Sequence, residues 1–364
     1  MKIDFANLGK AYIEHKKEID DAIAGVIDNS SFIMGAPVSE FENNLSQYTG
    51  SKYSISCSSG TDALLLAMMA LDIQPGDEII TTPFTFIATA ETIAFLKAKP
   101  VFVDIEEETY NIDVSKIEAV ITDKTKAIIP VSLYGQPSDM TEINKIADKY
   151  NLSVIEDAAQ SFGSEYHGKK SCNLSSIGCT SFFPAKPLGC FGDGGAVFTN
   201  NEKLAEIMKS LRLHGQTERY YHKYIGMGGR LDTLQAAVLD VKLKYYETDL
   251  KNRQKVAEKY TELLAGKLIT PKVKEDRTSA WAQYSVRIKN RNLIQDELKK
   301  AGVPTAVHYP KPLHLQECFE YLGYSKGAFP ISEMVSDEIM SLPMNPYLTE
   351  EEIKYITTNL IKLL

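Results

Sequence analysis

Two rhythms of apolar and polar positions run along this chain, one of period 3.6 and one of period 2. Tyr12–Ile27 places Ile19, Ala22, Ile23 and Val26 at helical spacing, which predicts a helix. Ser39–Tyr48 predicts a second, with Ser39 and Glu42 in a capping-box pattern at its start. Ser51–Cys57 alternates as a strand, Ser58-Ser59-Gly60-Thr61 follows as a turn, and Asp62–Leu71 is a strong helix pattern. Strands are predicted at Asp77–Thr81, Lys99–Val103, Thr125–Val131 and Ser153–Glu156, with helices at Ile87–Leu96 and Met140–Tyr150. Ile177–Phe183 is a buried strand pattern, and Gly192–Thr199 a turn and returning strand. After a long helix at Leu231–Tyr245 and a charged stretch from Lys251 to Lys274, the pattern changes. A strand at Ala280–Ile288, a helix at Leu293–Ala301, a short strand at Thr305–Tyr309 and a last helix at Glu350–Leu364 follow.

Strands alternating with helices at this spacing predict an α/β fold with a largely parallel sheet and helices on both faces. Residues 1–245 form the expected large domain and residues 246–364 a smaller C-terminal α+β domain. In open sheets of this kind ligands bind at the carboxyl ends of the strands.

Composition narrows the function classes. The chain has 364 residues, 44% hydrophobic and 24% charged, enough to bury a core and close a site from water. A net charge of -8, with no long Lys/Arg run to offset it, argues against nucleic-acid or membrane-surface partners. Five cysteines (Cys57, Cys172, Cys179, Cys190 and Cys318) include no Cys-x-x-Cys pair, so neither a disulfide framework nor a zinc site is expected and a reducing cytoplasm fits. The first residues lack the signature of a signal peptide, and no run of about 18 apolar residues predicts a membrane span.

Three stretches carry candidate chemistry. Lys186 stands among apolar, proline and glycine residues in Ser181–Gly195. Desolvation there disfavours the ammonium, and a neutral amine can form a Schiff base with an aldehyde cofactor; a surface lysine at a loop tip is the plain alternative. Ser58–Thr61, between a strand and a helix N-terminus, is placed to hold an anion such as phosphate, or is simple serine N-capping. Asp157, at a strand end in Val154–Gln160, could pair with a cationic ring nitrogen or cap a helix, and Gln160 could reach the same ligand.

These stretches, in this order, resemble the fold-type I enzymes that use pyridoxal 5'-phosphate (PLP). The wording is closer to the nucleotide-sugar aminotransferases of the DegT/DnrJ/StrS type. The matching segments are Ser58–Leu64, Thr82–Thr89, Glu156–Ser161, Ser181–Lys186, Gly192–Ala196, Arg230–Ala237 and His308–Pro310. The resemblance implies a fold-type I PLP-dependent transferase with a mostly parallel seven-stranded sheet. Lys186 would hold the cofactor and move protons, Asp157 would pair with the pyridine nitrogen, and Gln160 would bond the ring hydroxyl. Phe86, rather than Phe84, would stack on the ring, while Gly60, Thr61 and Ser181 would bind the phosphate. Arg230, His308 and Tyr309 would bind substrate, and no metal is implied. The amino donor would be L-glutamate, the acceptor a nucleotide-linked keto-sugar, and the site would be shared across a homodimer.

Motif wording points to carbon 3 of a UDP- or dTDP-linked 3-keto sugar, most nearly UDP-2-acetamido-2-deoxy-3-oxo-glucuronate, in the making of surface glycans such as lipopolysaccharide. A uronate carboxylate would suit Arg230. The alternatives are a sugar 4-aminotransferase, a non-catalytic regulator of the same fold and an ordinary amino-acid aminotransferase; a same-fold dehydratase would carry histidine in place of Lys186. One departure stands out: the family loop normally carries an asparagine two residues before the arginine, and here that position is Gly228.

Overall fold

The computed structural model describes residues 3–364. Its strands are β1 (Tyr53–Cys57), β2 (Glu78–Thr81), β3 (Lys99–Phe102), β4 (Thr125–Ile128), β5 (Ser153–Asp157), β6 (Glu165–Tyr166), β7 (Lys169–Lys170), β8 (Ile177–Ser181), β9 (Gly195–Thr199), β10 (Gln216–Glu218), β11 (Tyr221–His222), β12 (Tyr284–Arg287) and β13 (Ile339–Leu342). Seven of them form one sheet in the order β1-β9-β8-β5-β4-β2-β3. Only β9 runs against its neighbours β8 and β1, so the sheet is mostly parallel, as the sequence predicts.

The helices are α1 (Leu8–Glu14), α2 (Lys16–Asp28), α3 (Ala36–Thr49), α4 (Gly60–Ala70), α5 (Ala88–Phe95), α6 (Met140–Tyr150), α7 (Glu202–Leu211), α8 (Thr233–Leu243), α9 (Tyr246–Leu264), α10 (Arg291–Lys300), α11 (Pro330–Glu338) and α12 (Glu350–Ile361). Helix α4 is apolar nearly all round because it lies against the sheet, burying Ala63, Leu64, Leu66, Ala67 and Met68 against Ile55, Ile79, Ile155 and Val197. A separate cluster of Tyr260, Tyr284, Val286, Met340, Leu342 and Ile356 forms where α9 and α12 cover the β12–β13 pair. Ile3 joins that cluster, so the start of the chain packs on its C-terminal part.

Three local expectations differ from the fold. The predicted Tyr12–Ile27 helix breaks at His15 into α1 and α2. The Ser39/Glu42 capping box does not form, because α3 starts at Ala36 behind Gly35. Glu42 instead accepts from the backbone N–H of Ser56 at 2.9 Å and from the guanidinium of Arg212. Thr305–Tyr309 is not a strand, since only Ala306 pairs, with Ser341 on β13. Among the described residues no helix is long and apolar enough to cross a membrane.

Candidate active site

Parallel strands bring the ends of β1, β2, β5 and β8 to one edge of the sheet, where a cavity of about 520 Å³ opens. That is the size range of small-ligand sites. Gly60, Thr61, Phe86, Asp157, Gln160, Ser181, Lys186, His308 and Tyr309 all line it. Arg230 does not, although the loop that carries it lies close by, with Gly229 accepting from the Ser58 N–H at 3.1 Å.

At one end is the β1–α4 turn. Ser59 caps α4 by accepting from the Asp62 N–H at 3.0 Å. The N–H groups of Gly60 and Thr61, in the first turn, have no intrahelical acceptor and join the positive end of the helix dipole. Ser181 comes up against this turn from β8. A Cβ on Gly60 would lie 2.6 Å from the Ser181 Cβ, and one on Gly195 would lie 2.4 Å from the Ser59 carbonyl. The two glycines thus let three strand ends converge into a cradle that any side chain would fill.

Lys186 sits on a loop that closes on itself. Phe182 donates to Gly194 at 2.7 Å, Cys190 to Phe182 at 2.8 Å and Lys186 to Phe183 at 2.6 Å through their backbones. The chain wraps so tightly that a Cβ on Gly189 would meet the Pro184 carbonyl at 2.5 Å. Lys242 of α8 donates to the Gly189 carbonyl from outside. The Lys186 side chain is half-buried, with the exposed part facing the cavity. Burial lowers its ammonium from 10.5 to about 8, against the opposing pull of Asp157.

Asp157 ends β5. Its Oδ1 accepts from the Ala159 N–H at 3.2 Å and its Oδ2 from the Thr89 hydroxyl at 2.8 Å. Burial raises its pKa above the ordinary carboxylate value, and these two bonds and Lys186 work in the other direction. A buried carboxylate with so little compensation is suited to a cationic partner arriving from the cavity. Gln160 is held at both ends: Oε1 accepts from the Tyr134 N–H at 2.7 Å and Nε2 donates to the Tyr309 hydroxyl at 3.1 Å. Phe86 is 54% exposed at the cavity wall, whereas Phe84 is fully buried against Tyr110 and Tyr309. Burial and the Lys186 charge lower His308 to about 4, so its ring is neutral at physiological pH, and its Nδ1 lies 2.8 Å from the Ser341 hydroxyl.

The cradle, the buried acid and the activated amine together fit a phosphorylated, ring-nitrogen aldehyde such as PLP. A model of the DegT/DnrJ/EryC1/StrS aminotransferase family matches residues 13–361. The chain belongs to that family. It is 51% identical to a UDP-2-acetamido-2-deoxy-3-oxo-D-glucuronate aminotransferase of Pseudomonas aeruginosa, over 97% of this chain and 98% of that one. It is also 45% identical to a pleiotropic regulatory protein of Geobacillus stearothermophilus, over 98% and 97% of the two chains. A solved structure of NtdA from Bacillus subtilis with its cofactor PMP bound superposes with a TM-score of 0.92 at 32% identity, covering 100% of this chain and 85% of that one.

Sequence reasoning missed two residues that the fold brings in. Thr89 lay inside a quoted motif without a role of its own. Gln283 lines the cavity from just before β12, and its only sequence signal is a polar position in an apolar strand pattern. At Gly228, a Cβ would meet the imidazole of His214 at 3.1 Å, so that ring fills the space beside the departing position.

Proposed function

We propose that this chain is a PLP-dependent aminotransferase that moves the amino group of L-glutamate to carbon 3 of a nucleotide-linked keto-sugar, most nearly UDP-2-acetamido-2-deoxy-3-oxo-glucuronate, for surface glycan synthesis. The observation that carries the reading is the Lys186 amine, lowered to about 8, in one cavity with Asp157 and the cradle of Gly60, Thr61 and Ser181. The 51%-identical relative supplies the sugar, and the PMP (pyridoxamine phosphate) in the NtdA structure supports the cofactor.

Gly60, Thr61 and Ser181 would hold the cofactor phosphate, Asp157 would face the ring nitrogen, Gln160 its hydroxyl and Phe86 its face. When bound, PLP supplies an electron sink next to the reacting carbon. Lys186 Nζ then acts as the base that takes the α-proton of the amino donor, and in the second half-reaction it moves a proton at carbon 3 of the sugar. Asp157 holds a negative charge where the ring nitrogen must stay protonated.

We read the chain as a homodimer. Tyr220, Tyr221 and Ile225 are 76%, 71% and 92% exposed on the loop leading to Arg230, an apolar surface that a second copy would cover. Arg230 would then enter the partner's cavity to meet the uronate carboxylate, with His308 and Tyr309 on the sugar. We divide the chain into residues 1–245 and 246–364; the separate cluster around α9 and β12 supports this, with Ile3 joining it and Tyr246 packing on the other side. Five cysteines, all free, fit a reducing cytoplasm. The regulatory name of one relative gives a second reading, in which the fold binds cofactor without turnover.

The test is the absorption spectrum of the purified protein with PLP, before and after L-glutamate. Glutamate should move the visible band to shorter wavelength, and UDP-2-acetamido-2-deoxy-3-oxo-glucuronate should restore it. Restoration only by a 4-keto sugar moves the reaction to carbon 4. Absence of any shift favours the regulatory reading.

A further inference from the structure

Among the polar side chains that line the cavity, Gln283 is buried and has no part in the reaction as outlined. Gln283 is 9% exposed and lines the cavity just before β12. Its Oε1 is shut away from water with no hydrogen-bond partner among the described residues. The backbone around it is ordinary, with Ala280 N–H bonded to the Gly135 carbonyl at 2.9 Å and Tyr284 paired with Leu342. The carboxamide oxygen is left without a partner. A buried polar atom without a partner is destabilising, so its place on the cavity wall calls for an account.

The surroundings decide what the amide is for. Two substrates alternate in this site under the reading above, on which this inference rests: an α-amino acid and a nucleotide sugar. The amino acid's carboxylate calls for a cation. On this wall stand Gln283, His308 and Tyr309, and all three are uncharged. His308 is kept neutral by burial and by Lys186, and its Nδ1 faces the hydroxyl of Ser341, which in turn lies 2.9 Å from that of Ser285. No arginine of the chain's own lines the cavity among the described residues. A wall of neutral donors and acceptors matches the hydroxyl and amide groups of a sugar, and gives a carboxylate little.

We propose that Gln283 is a specificity residue for the acceptor: its carboxamide hydrogen-bonds a hydroxyl or acetamido group of the nucleotide sugar and makes no bond to the amino donor or to the cofactor. A carboxamide can donate and accept, and rotation of its end exchanges the two, so it serves either group.

The test separates the two half-reactions in the PLP-loaded protein by stopped-flow absorbance. Gln283→Leu keeps the volume and removes both bonding atoms; Gln283→Glu keeps the shape and adds charge. In Gln283→Leu the cofactor spectrum, the PLP dissociation constant and the glutamate half-reaction should stay within about twofold of wild type. The half-reaction with UDP-2-acetamido-2-deoxy-3-oxo-glucuronate should lose at least about tenfold in kcat/KM, as expected for a lost buried hydrogen bond. Gln283→Glu should lose in the same half-reaction only. An unchanged sugar half-reaction in Gln283→Leu overturns the proposal. So does an equal loss in both half-reactions, or weaker PLP binding, which would place the amide on the cofactor or on the fold. If no keto-sugar restores the band of the wild-type protein, the assigned function fails together with this inference, and that outcome is visible before any variant is made.

Discussion

The hydroxyl of Thr89, in the first turn of α5, donates to Oδ2 of Asp157 at the end of β5 at 2.8 Å. It also lies 3.1 Å from the Thr85 hydroxyl, so a short hydroxyl chain runs from the β2 exit to the acid. The bond works against burial, which raises the Asp157 pKa. Thr89→Val keeps the shape and removes the bond. The carboxyl should then hold its proton to higher pH, and since the ionised form would face the ring nitrogen in the proposed reaction, the acid limb of the pH–rate profile should move upward. A pH profile of kcat with the limb unmoved would show that Thr89 only packs.

Lys186 should titrate far below an ordinary lysine. Lowered from 10.5 to about 8, it has a neutral fraction at pH 7 about 300 times larger than an unperturbed side chain. The direction follows from burial, which penalises the charged form, so the reactive amine grows as pH rises through 8. The rate of PLP capture by the apo-protein should climb between about pH 7 and 9, one unit either side of about 8, and level above, whereas Lys186→Arg should show no capture. A capture rate still climbing steeply at pH 10 would mean that the cavity does not desolvate this amine.

Gly60→Ala tests the cradle. The new methyl would meet the Ser181 Cβ at 2.6 Å, too close for two carbons, at the mouth of the N–H groups on which a phosphate would sit. The cofactor dissociation constant should rise at least about tenfold, while apo-protein stability falls by about 1–3 kcal/mol. Equilibrium dialysis of PLP against both proteins decides; equal affinities would move the phosphate elsewhere.

The large-scale order of the site was legible because its chemistry is local. Ser58–Thr61 and Asp157 sit at strand ends that the alternation of patterns marks, Lys186 sits on the loop that follows another, and a parallel sheet must gather such ends on one edge. The resemblance separated Phe86 from Phe84, and the fold shows a physical difference between them: one ring faces the cavity and the other is sealed in the core. What the sequence hid are relations across long separations. Glu42 has the spacing of a capping box, but the tertiary pull of Arg212, 170 residues away, gives its carboxylate another partner. Thr89 and Gln283 have nothing in their neighbours to say that each would face a site. Thr305–Tyr309 alternates like a strand, yet Tyr134 donates to the His308 carbonyl and only Ala306 is left to pair.

Arg212 and Glu42 give a stability prediction apart from catalysis. The Arg212 side chain is 3% exposed, bonds the Ser56 carbonyl at 2.6 Å and ties α3 to β1 through Glu42. Arg212→Met leaves the carboxylate with only the Ser56 donors. Breaking one side of a buried pair costs about 3–5 kcal/mol. Urea unfolding of the apo-protein should show a loss of that order, and Glu42→Gln with Arg212→Met should recover part of it. A loss below about 1 kcal/mol would mean that water reaches the pair.

Arg230 settles whether the site is shared between two copies. It lines no part of its own chain's cavity, and its loop carries exposed Tyr220, Tyr221 and Ile225. Lys186→Ala and Arg230→Ala should each be nearly inactive alone. When the two are co-expressed and paired at random, half of the dimers carry one subunit of each kind. If Arg230 acts across the interface, one of the two sites in such a dimer has an intact lysine from one copy and an intact arginine from the other. The mixture should then recover about a quarter of wild-type turnover per site, as a two-fold assembly requires. If Arg230 acts within its own chain, every site in the mixed dimer lacks one of the two groups and nothing is recovered. Measured turnover of the purified mixed dimer, selected by two different affinity tags, distinguishes the cases without any assumption about which sugar is bound.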